Sequence, residues 1–305
     1  MRVAFFGTGE IAIPAFRRLI EEGPRPVLLV TQPDKPVGRH HVLTPPAIKT
    51  LALEAGIPVL QPEKVKDALG ELAAYEMDLM VVMAYGQILP SKLIKLPKLA
   101  CINLHASLLP RYRGAACIQA AIAAGDAETG ITVMHVVRQL DAGDIILAKA
   151  VVIGEHETGG ELHDRLAELA PEAMSEGIRE LAAGTAPRTP QDEALVSYIP
   201  KLEREDGRLD FTRPAEELER LIRAYDPWPG TFTVVREDGK EKRLKVFPPV
   251  EVIESDLAAG VIDTAEGSLV IGCGKGALKL LEVQPDGSKR MAAADYLRGK
   301  KPEGV

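Results

Sequence analysis

Cys101-Ile102-Asn103-Leu104-His105-Ala106-Ser107-Leu108-Leu109-Pro110-Arg111-Tyr112-Arg113-Gly114 begins as an apolar run and ends in a Pro- and Gly-bounded turn. Asn103 and His105 alternate with Ile102 and Leu104. Side chains on a strand point to the same face every second residue, so the two polar groups leave from one face. An unpaired buried polar group costs about 1–3 kcal/mol, so this pair needs either partners or a purpose. The pair sits where the apolar strand ends, and in open α/β sheets ligands bind beyond the carboxyl ends of the strands.

Outward from this stretch, the first half of the chain alternates strand-like and helix-like segments. Strands are expected at residues 2–6, 27–31, 57–60, 78–84, 100–104 and 130–137, and helices at 13–22, 46–55, 65–74 and 117–124. Strands apolar on both faces and separated by helices imply a mostly parallel, Rossmann-like α/β sheet covered on both sides. Around residues 184–190 the texture turns to Gly, Thr and Pro, and a polar stretch runs on to 205. One amphipathic helix (215–224) follows, with short strands at 231–235, 243–247, 260–263, 268–271 and 277–283. Short strands between Gly-rich turns suggest a small OB-like β-barrel. The expected organisation is a catalytic domain over 1–187, a linker over 188–205 and a C-terminal β-barrel domain over 206–305.

The strand at 130–137 leads into Val137-Arg138-Gln139-Leu140-Asp141-Ala142-Gly143-Asp144. Asp141 lies just beyond its end and can meet His105 if the two strands are neighbours. A carboxylate beside an imidazole favours its protonated form and fixes its tautomer. Taken alone, Asp141 or Asp144 suits a turn next to Gly143, but Asn, His and Asp converging from two strand ends make a candidate site. Gly7-Thr8-Gly9 after the first strand invites a dinucleotide reading, yet the second strand ends Val30-Thr31-Gln32-Pro33 with no acidic residue to hold a ribose. A tight strand-to-helix turn is the preferred reading.

The chain has 305 residues and a formal net charge of −7, which gives no global sign of a nucleic-acid partner. Any such grip must come from local patches. Residues 206–305 carry sixteen Lys and Arg against eighteen Asp and Glu, with Lys240, Lys242, Arg243 and Lys245 clustered on an expected hairpin. Trp228, between two prolines, is expected to pack the helix against the barrel rather than to stack on a base. Cys101, Cys117 and Cys273 are odd in number and lack a CxxC pair, which argues against a disulfide framework or a zinc site and for a reducing cytosol. No apolar stretch is long enough to span a bilayer, no signal peptide is expected, and the protein is expected to be a cytoplasmic monomer.

His105 through Gly114, then Gly125-Asp126 and Leu140-Asp141-Ala142-Gly143-Asp144-Ile145, resemble the signature of the folate-dependent formyltransferases. Thr31-Gln32-Pro33-Asp34-Lys35-Pro36-Val37-Gly38-Arg39, Ala84-Tyr85-Gly86-Gln87-Ile88-Leu89-Pro90, Gly114-Ala115-Ala116-Cys117-Ile118-Gln119 and Ala224-Tyr225-Asp226-Pro227-Trp228-Pro229-Gly230 resemble the branch acting on methionyl-tRNA. The resemblance runs through both expected domains.

It implies 10-formyltetrahydrofolate as donor, the methionine of initiator methionyl-tRNA as acceptor, and a catalytic trio of Asn103, His105 and Asp141. It implies a folate site at Ala84, Tyr85, Gly86, Gln87, Ile88, Leu89, Ser107, Leu108, Leu109, Pro110, Val137 and Leu140. Contact with tRNA is expected from Arg39, Lys240, Lys242, Arg243 and Lys245, and no metal is required. An amine attacking a formyl carbon leaves negative charge on oxygen, which the Asn103 amide and a protonated His105 can receive, with Asp141 helping to accept the amine's proton. Two departures stand out: Cys117 where relatives carry proline at a helix start, and a lysine-poor loop at Arg39-His40-His41-Val42. The competing readings are a nucleotide-sugar N-formyltransferase with the same trio and, more distantly, a non-enzymatic folate- or tRNA-binding module.

Overall fold

In the computed structural model, which describes residues 1–38 and 41–305, the chain forms two compact units. Met1–Gly114, Thr129–Val151 and His163–Tyr198 make the first; Ala115–Glu128, Val152–Leu162 and Ile199–Val305 make the second. The chain therefore passes between units several times instead of once.

In chain order the strands up to residue 152 are β1 (Val3–Gly7), β2 (Pro26–Val30), β3 (Lys35–Val37), β4 (Val42–Thr44), β5 (Val59–Leu60), β6 (Leu79–Met83), β7 (Ala100–His105), β8 (Arg113–Gly114), β9 (Glu128–His135) and β10 (Ile145–Val152). Seven of them form one sheet in the order β10-β9-β7-β6-β1-β2-β5. The neighbours from β5 to β7 run parallel, whereas β9 is antiparallel to β7. Strands β3 and β4 form a separate antiparallel hairpin. Every residue of β1 and β6 is buried, as a sheet covered on both faces requires. Helices α1 (Ile13–Glu21), α2 (Ala47–Glu54), α3 (Leu69–Ala73) and α4 (Ser91–Ile94) belong to this unit, and Phe6 packs edge-on against Tyr85 with centroids 5.4 Å apart. Helix α5 (Cys117–Ala124) belongs to the second unit, where Ala123 packs against its core.

Strand β10 and the 25-residue helix α6 (Gly159–Ala183) did not emerge from the sequence pattern. Pro171 and Gly177 break the helical signal in α6, but the helix runs through both positions. Ser175 donates its hydroxyl to the Pro171 carbonyl, and a Cβ at Gly177 would come within 3.1 Å of Val133. Strand β11 (Tyr198–Ile199) follows where the chain passes to the second unit.

The second unit contains α7 (Ala215–Ala224), then β12 (Thr231–Glu237), β13 (Lys240–Ile253), β14 (Ile262–Asp263), β15 (Leu269–Gly272), β16 (Ala277–Pro285), β17 (Met291–Ala292) and α8 (Ala293–Gly299). Its antiparallel sheet runs β12-β13-β16-β15-β14, with β17 on β16. Strands β12 and β14 are its two edges, so the expected barrel is a curled half-barrel. Leu218 and Ile222 of α7 fill its concave side with Leu244, Val246, Leu269, Leu278 and Leu280. Strand β13 is longer than expected because it carries Pro248 and Pro249 through a register break between Phe247 and Val250. A bulge is where a strand tolerates residues that cannot donate to the ladder.

Candidate active site

Asn103 and His105 leave β7 on one face, flanked by Val82 of β6 and by Met134 and Thr132 of β9. His105 is buried, and its Nε2 lies 2.8 Å from the Tyr112 carbonyl oxygen. A carbonyl can only accept, so Nε2 carries a hydrogen and Nδ1 is the nitrogen left open. Asn103 is half-buried, and among the described residues its side chain makes no hydrogen bond.

Asp141 reaches His105 by a less direct route than two neighbouring strand ends. Because β9 runs antiparallel to β7, its carboxyl end lies beside Ile102, away from His105. The chain doubles back: the His135 N–H donates to the Asp144 carbonyl at 2.9 Å, and Asp141 adopts a positive φ of 48°. Gly143 is packed so closely that a Cβ there would stand 1.7 Å from the His135 carbonyl oxygen. This return places Asp141 Oδ2 3.7 Å from His105 Nδ1, and the same oxygen accepts the Gly114 N–H at 2.8 Å.

The loop between His105 and Gly114 is tied down from several sides. The Thr132 hydroxyl donates to the Ser107 carbonyl at 2.6 Å and accepts the Leu109 N–H at 3.1 Å, while the Ser107 hydroxyl donates to the Arg111 carbonyl. Ser197 accepts the Tyr112 N–H on its hydroxyl and the Arg113 N–H on its carbonyl, both at 2.8 Å. Arg113 is fully buried and donates to Gln191, Glu193 and the Tyr198 hydroxyl. Burial opposes its charge, but the Glu193 and Tyr198 contacts outweigh it and its pKa is raised. Sequence reading passed over Gln191, Glu193 and Ser197 because a polar stretch after a Gly-Thr-Pro run resembles a plain connection. The arginine immediately before Gly114, the backbone donor to Asp141, was the available signal, because a buried guanidinium needs acceptors from elsewhere in the chain.

The expected folate residues divide by what their side chains do. The Tyr85 ring lies in the apolar core, and its hydroxyl is pushed up to about 12 by burial. Gln87 accepts the Val65 N–H and donates to the Pro62 carbonyl, so its amide is committed to the fold. Ser107 is likewise buried and used internally. Ile88, Leu140 and Val137, in contrast, are 84%, 54% and 43% exposed. Val136 packs on the cluster containing Tyr85 and Leu89, which brings the 84–89 and 136–141 segments together. Ala84 and Gly86 both have positive φ, 48° and 84°. Thr8 and Gly9 donate their backbone N–H groups to the Ala84 carbonyl at 3.2 Å, and the Thr8 hydroxyl donates to Tyr85. The Gly7-Thr8-Gly9 turn therefore supports the 84–86 loop.

The hairpin cations do not form one patch. Lys240 and Lys242 share the face of Leu244 and Val246, whereas Arg243 and Lys245 point to the opposite face. Lys242 pairs at 2.8 Å with the buried carboxylate of Glu237, which also accepts from the Tyr296 hydroxyl. Burial pushes the Glu237 carboxyl up, but Lys242 and Tyr296 outweigh it and hold its pKa below the ordinary value. Arg243 stacks over Phe232 at 3.4 Å from the ring centroid. Lys240 and Lys245 are exposed. Arg39 and His40 lie outside the described residues. Trp228 is 48% exposed and faces the Arg204 guanidinium at 5.9 Å.

All three cysteines are free and buried, and burial pushes the Cys101 thiol up to about 12. Among the described residues no helix is long and apolar enough to cross a membrane, and no cluster of three His, Cys, Asp or Glu side chains is placed to hold a metal.

A Rossmann-like unit followed by a curled half-barrel is the architecture of a formyl transferase, and the chain belongs to that family. The formyl transferase family matches residues 1–178, and the formyl transferase C-terminal domain matches residues 201–301. Among the chain's relatives, a methionyl-tRNA formyltransferase of Akkermansia muciniphila is 54% identical, with 98% of this chain and 96% of that protein covered. One from Pseudomonas paraeruginosa is 45% identical over 99% and 97%. HypX from Aquifex aeolicus, solved in complex with tetrahydrofolic acid, shares the fold at a TM-score of 0.61 and 20% identity, over 97% of this chain and 47% of that one.

Proposed function

We propose that this protein transfers the formyl group of 10-formyltetrahydrofolate to the α-amino group of methionine on initiator methionyl-tRNA, giving the N-formylmethionyl-tRNA that begins translation. The observation that carries this reading is identity of 54% along essentially the whole of a methionyl-tRNA formyltransferase, joined to the approach of Asp141 to His105, which shares a strand face with Asn103.

The residues present fit a folate. The exposed Ile88, Val137 and Leu140 are apolar surface that a flat heteroaromatic ring would cover, and Leu140 adjoins Asp141 in the chain. When bound, 10-formyltetrahydrofolate supplies an activated formyl group. The uncommitted Asn103 amide donates to the formyl oxygen as negative charge develops there, a role worth about 10²–10³ in rate for a single donor. Because His105 Nε2–H is held by Tyr112, its open Nδ1 is placed not to donate to the oxyanion, as the sequence suggested, but to take the proton leaving the amine. The same nitrogen returns that proton to the folate nitrogen as the formyl C–N bond to that nitrogen breaks. The Asp141 carboxylate stands beside Nδ1 to stabilise the imidazolium so formed; the 3.7 Å gap is of the loose kind that closes in a substrate complex. An α-amino group has a pKa of about 8, so an appreciable share is already nucleophilic near neutrality.

The test is a formyl-transfer assay with charged initiator tRNA, charged elongator tRNA and an amino-sugar nucleotide side by side. The initiator is expected to react much faster than the other two; preferred turnover of the sugar would overturn the reading.

A further inference from the structure

We infer that Gln191 is a positioning residue for catalysis, acting through Asp141; this rests on the trio's role given above. The geometry is unusually complete for one side chain. The Gln191 amide nitrogen donates to the Asp141 carbonyl at 2.8 Å and to the Gly143 carbonyl at 2.9 Å. Its amide oxygen accepts from Arg113 Nε at 3.0 Å and from Nη2 at 2.8 Å. A primary amide has two N–H groups and an oxygen with two lone pairs, so all four are used. The orientation is fixed by its surroundings: flipping the amide would set its oxygen against two carbonyls and its nitrogen against a guanidinium.

What this grip holds is the reversed loop between β9 and β10. Asp141 sits in the left-handed region, and both carbonyls that flank the turn point at Gln191. Without those donors the turn loses its two side-chain restraints on the main chain at Asp141 and Gly143. The Asp141 carboxylate would then drift from Gly114 N–H and from His105 Nδ1. Glu193 and Ser197 of the same segment hold Arg113 and the Tyr112 backbone, whose carbonyl orients His105. The segment expected as a plain linker therefore grips both the acid and the imidazole of the trio. A misplacement of about 1 Å in such a constellation costs up to about 10²-fold in rate.

The test is Gln191→Glu, which keeps an oxygen for Arg113 and the side chain's length but removes both N–H donors. In the full-length protein kcat for methionyl-tRNA is expected to fall about 10–100-fold, with KM for donor and acceptor within about 2-fold of wild type. In an Asp141→Asn background the same change is expected to add less than about 2-fold, because non-additivity marks residues that act as a unit. Hydrogen exchange of the Gly114 amide, which Asp141 protects, is expected to quicken about 10-fold while β1 amides keep their protection. Losses that multiply in the double variant, or unchanged Gly114 exchange, would overturn the inference. The exchange measurement needs no acceptor, so it stands even if the assay with charged tRNA refutes the proposed substrate.

Discussion

Strand β7 and strand β13 each carry polar residues close together in sequence, and they use them in opposite ways. On β7, Asn103 and His105 are two residues apart and share a face. On β13, Lys242 and Arg243 are adjacent and therefore face opposite sides, one toward Glu237 and one over Phe232. A pair at spacing two converges; a charge run along a strand disperses. Density of charge in the sequence is thus a poor guide to which residues share a face of a sheet, whereas polar residues at a spacing of two in an apolar strand are a good one.

The comparison is tested most severely at the convergent pair. Asn103→Ala and His105→Ala are each expected to lose about 10²–10³ in kcat while the protein stays folded and binds a folate analogue, read by steady-state assay and titration calorimetry. Near-normal turnover would leave the pair with a structural role only. Next in size is Gly143→Ala, in which the new methyl must displace the His135 carbonyl and with it the Asp141 loop. A loss of about 10–100-fold in kcat is expected, larger than in donor affinity.

Two smaller effects sharpen the divergent half. Glu237→Gln removes the carboxylate that Lys242 and Tyr296 share, and at pH 7 the melting temperature is expected to fall by about 2–4 °C. Because the Glu237 pKa is lowered in the folded protein, its stabilisation is present above the ordinary carboxylate range and is lost as pH falls through the lowered value. Wild-type and variant melting curves should therefore converge in acid. The smallest effect concerns Lys245→Ala, which leaves stability unchanged but lowers the slope of log affinity for tRNA against log salt by about 0.7–0.9 if that side chain meets one phosphate. Lys242→Ala, whose charge is engaged by Glu237, is expected to leave the slope unaltered.

Much of this was legible in the sequence, and the misses share a physical cause. Helices 117–124 and 215–224 and the buried strands declared themselves through period and flanking residues, because burial on known faces fixes the pattern. Helix α6 did not, since Pro171 and Gly177 interrupt the local signal and the close approach of Val133 that accounts for Gly177 is a tertiary contact. Asn103 and His105 were legible as a pair from their strand alone. The route of Asp141 was not, because it depends on β9 running antiparallel and on Gly143 packing against His135. Gln191 was invisible: its value comes from carbonyls whose direction no residue type reveals.

The supports of the site also arrive late in synthesis. Gln191 lies 50 residues after Asp141, and Ser197 lies 85 after Tyr112. A chain still on the ribosome exposes Asn103, His105 and Asp141 well before the residues that pin them have been made. Residue 178, where the first family match ends, falls short of all those supports, so a fragment cut there carries the trio without its clamp. On the proposed role of Gln191, full turnover is then expected only once roughly the next twenty residues have joined the fold.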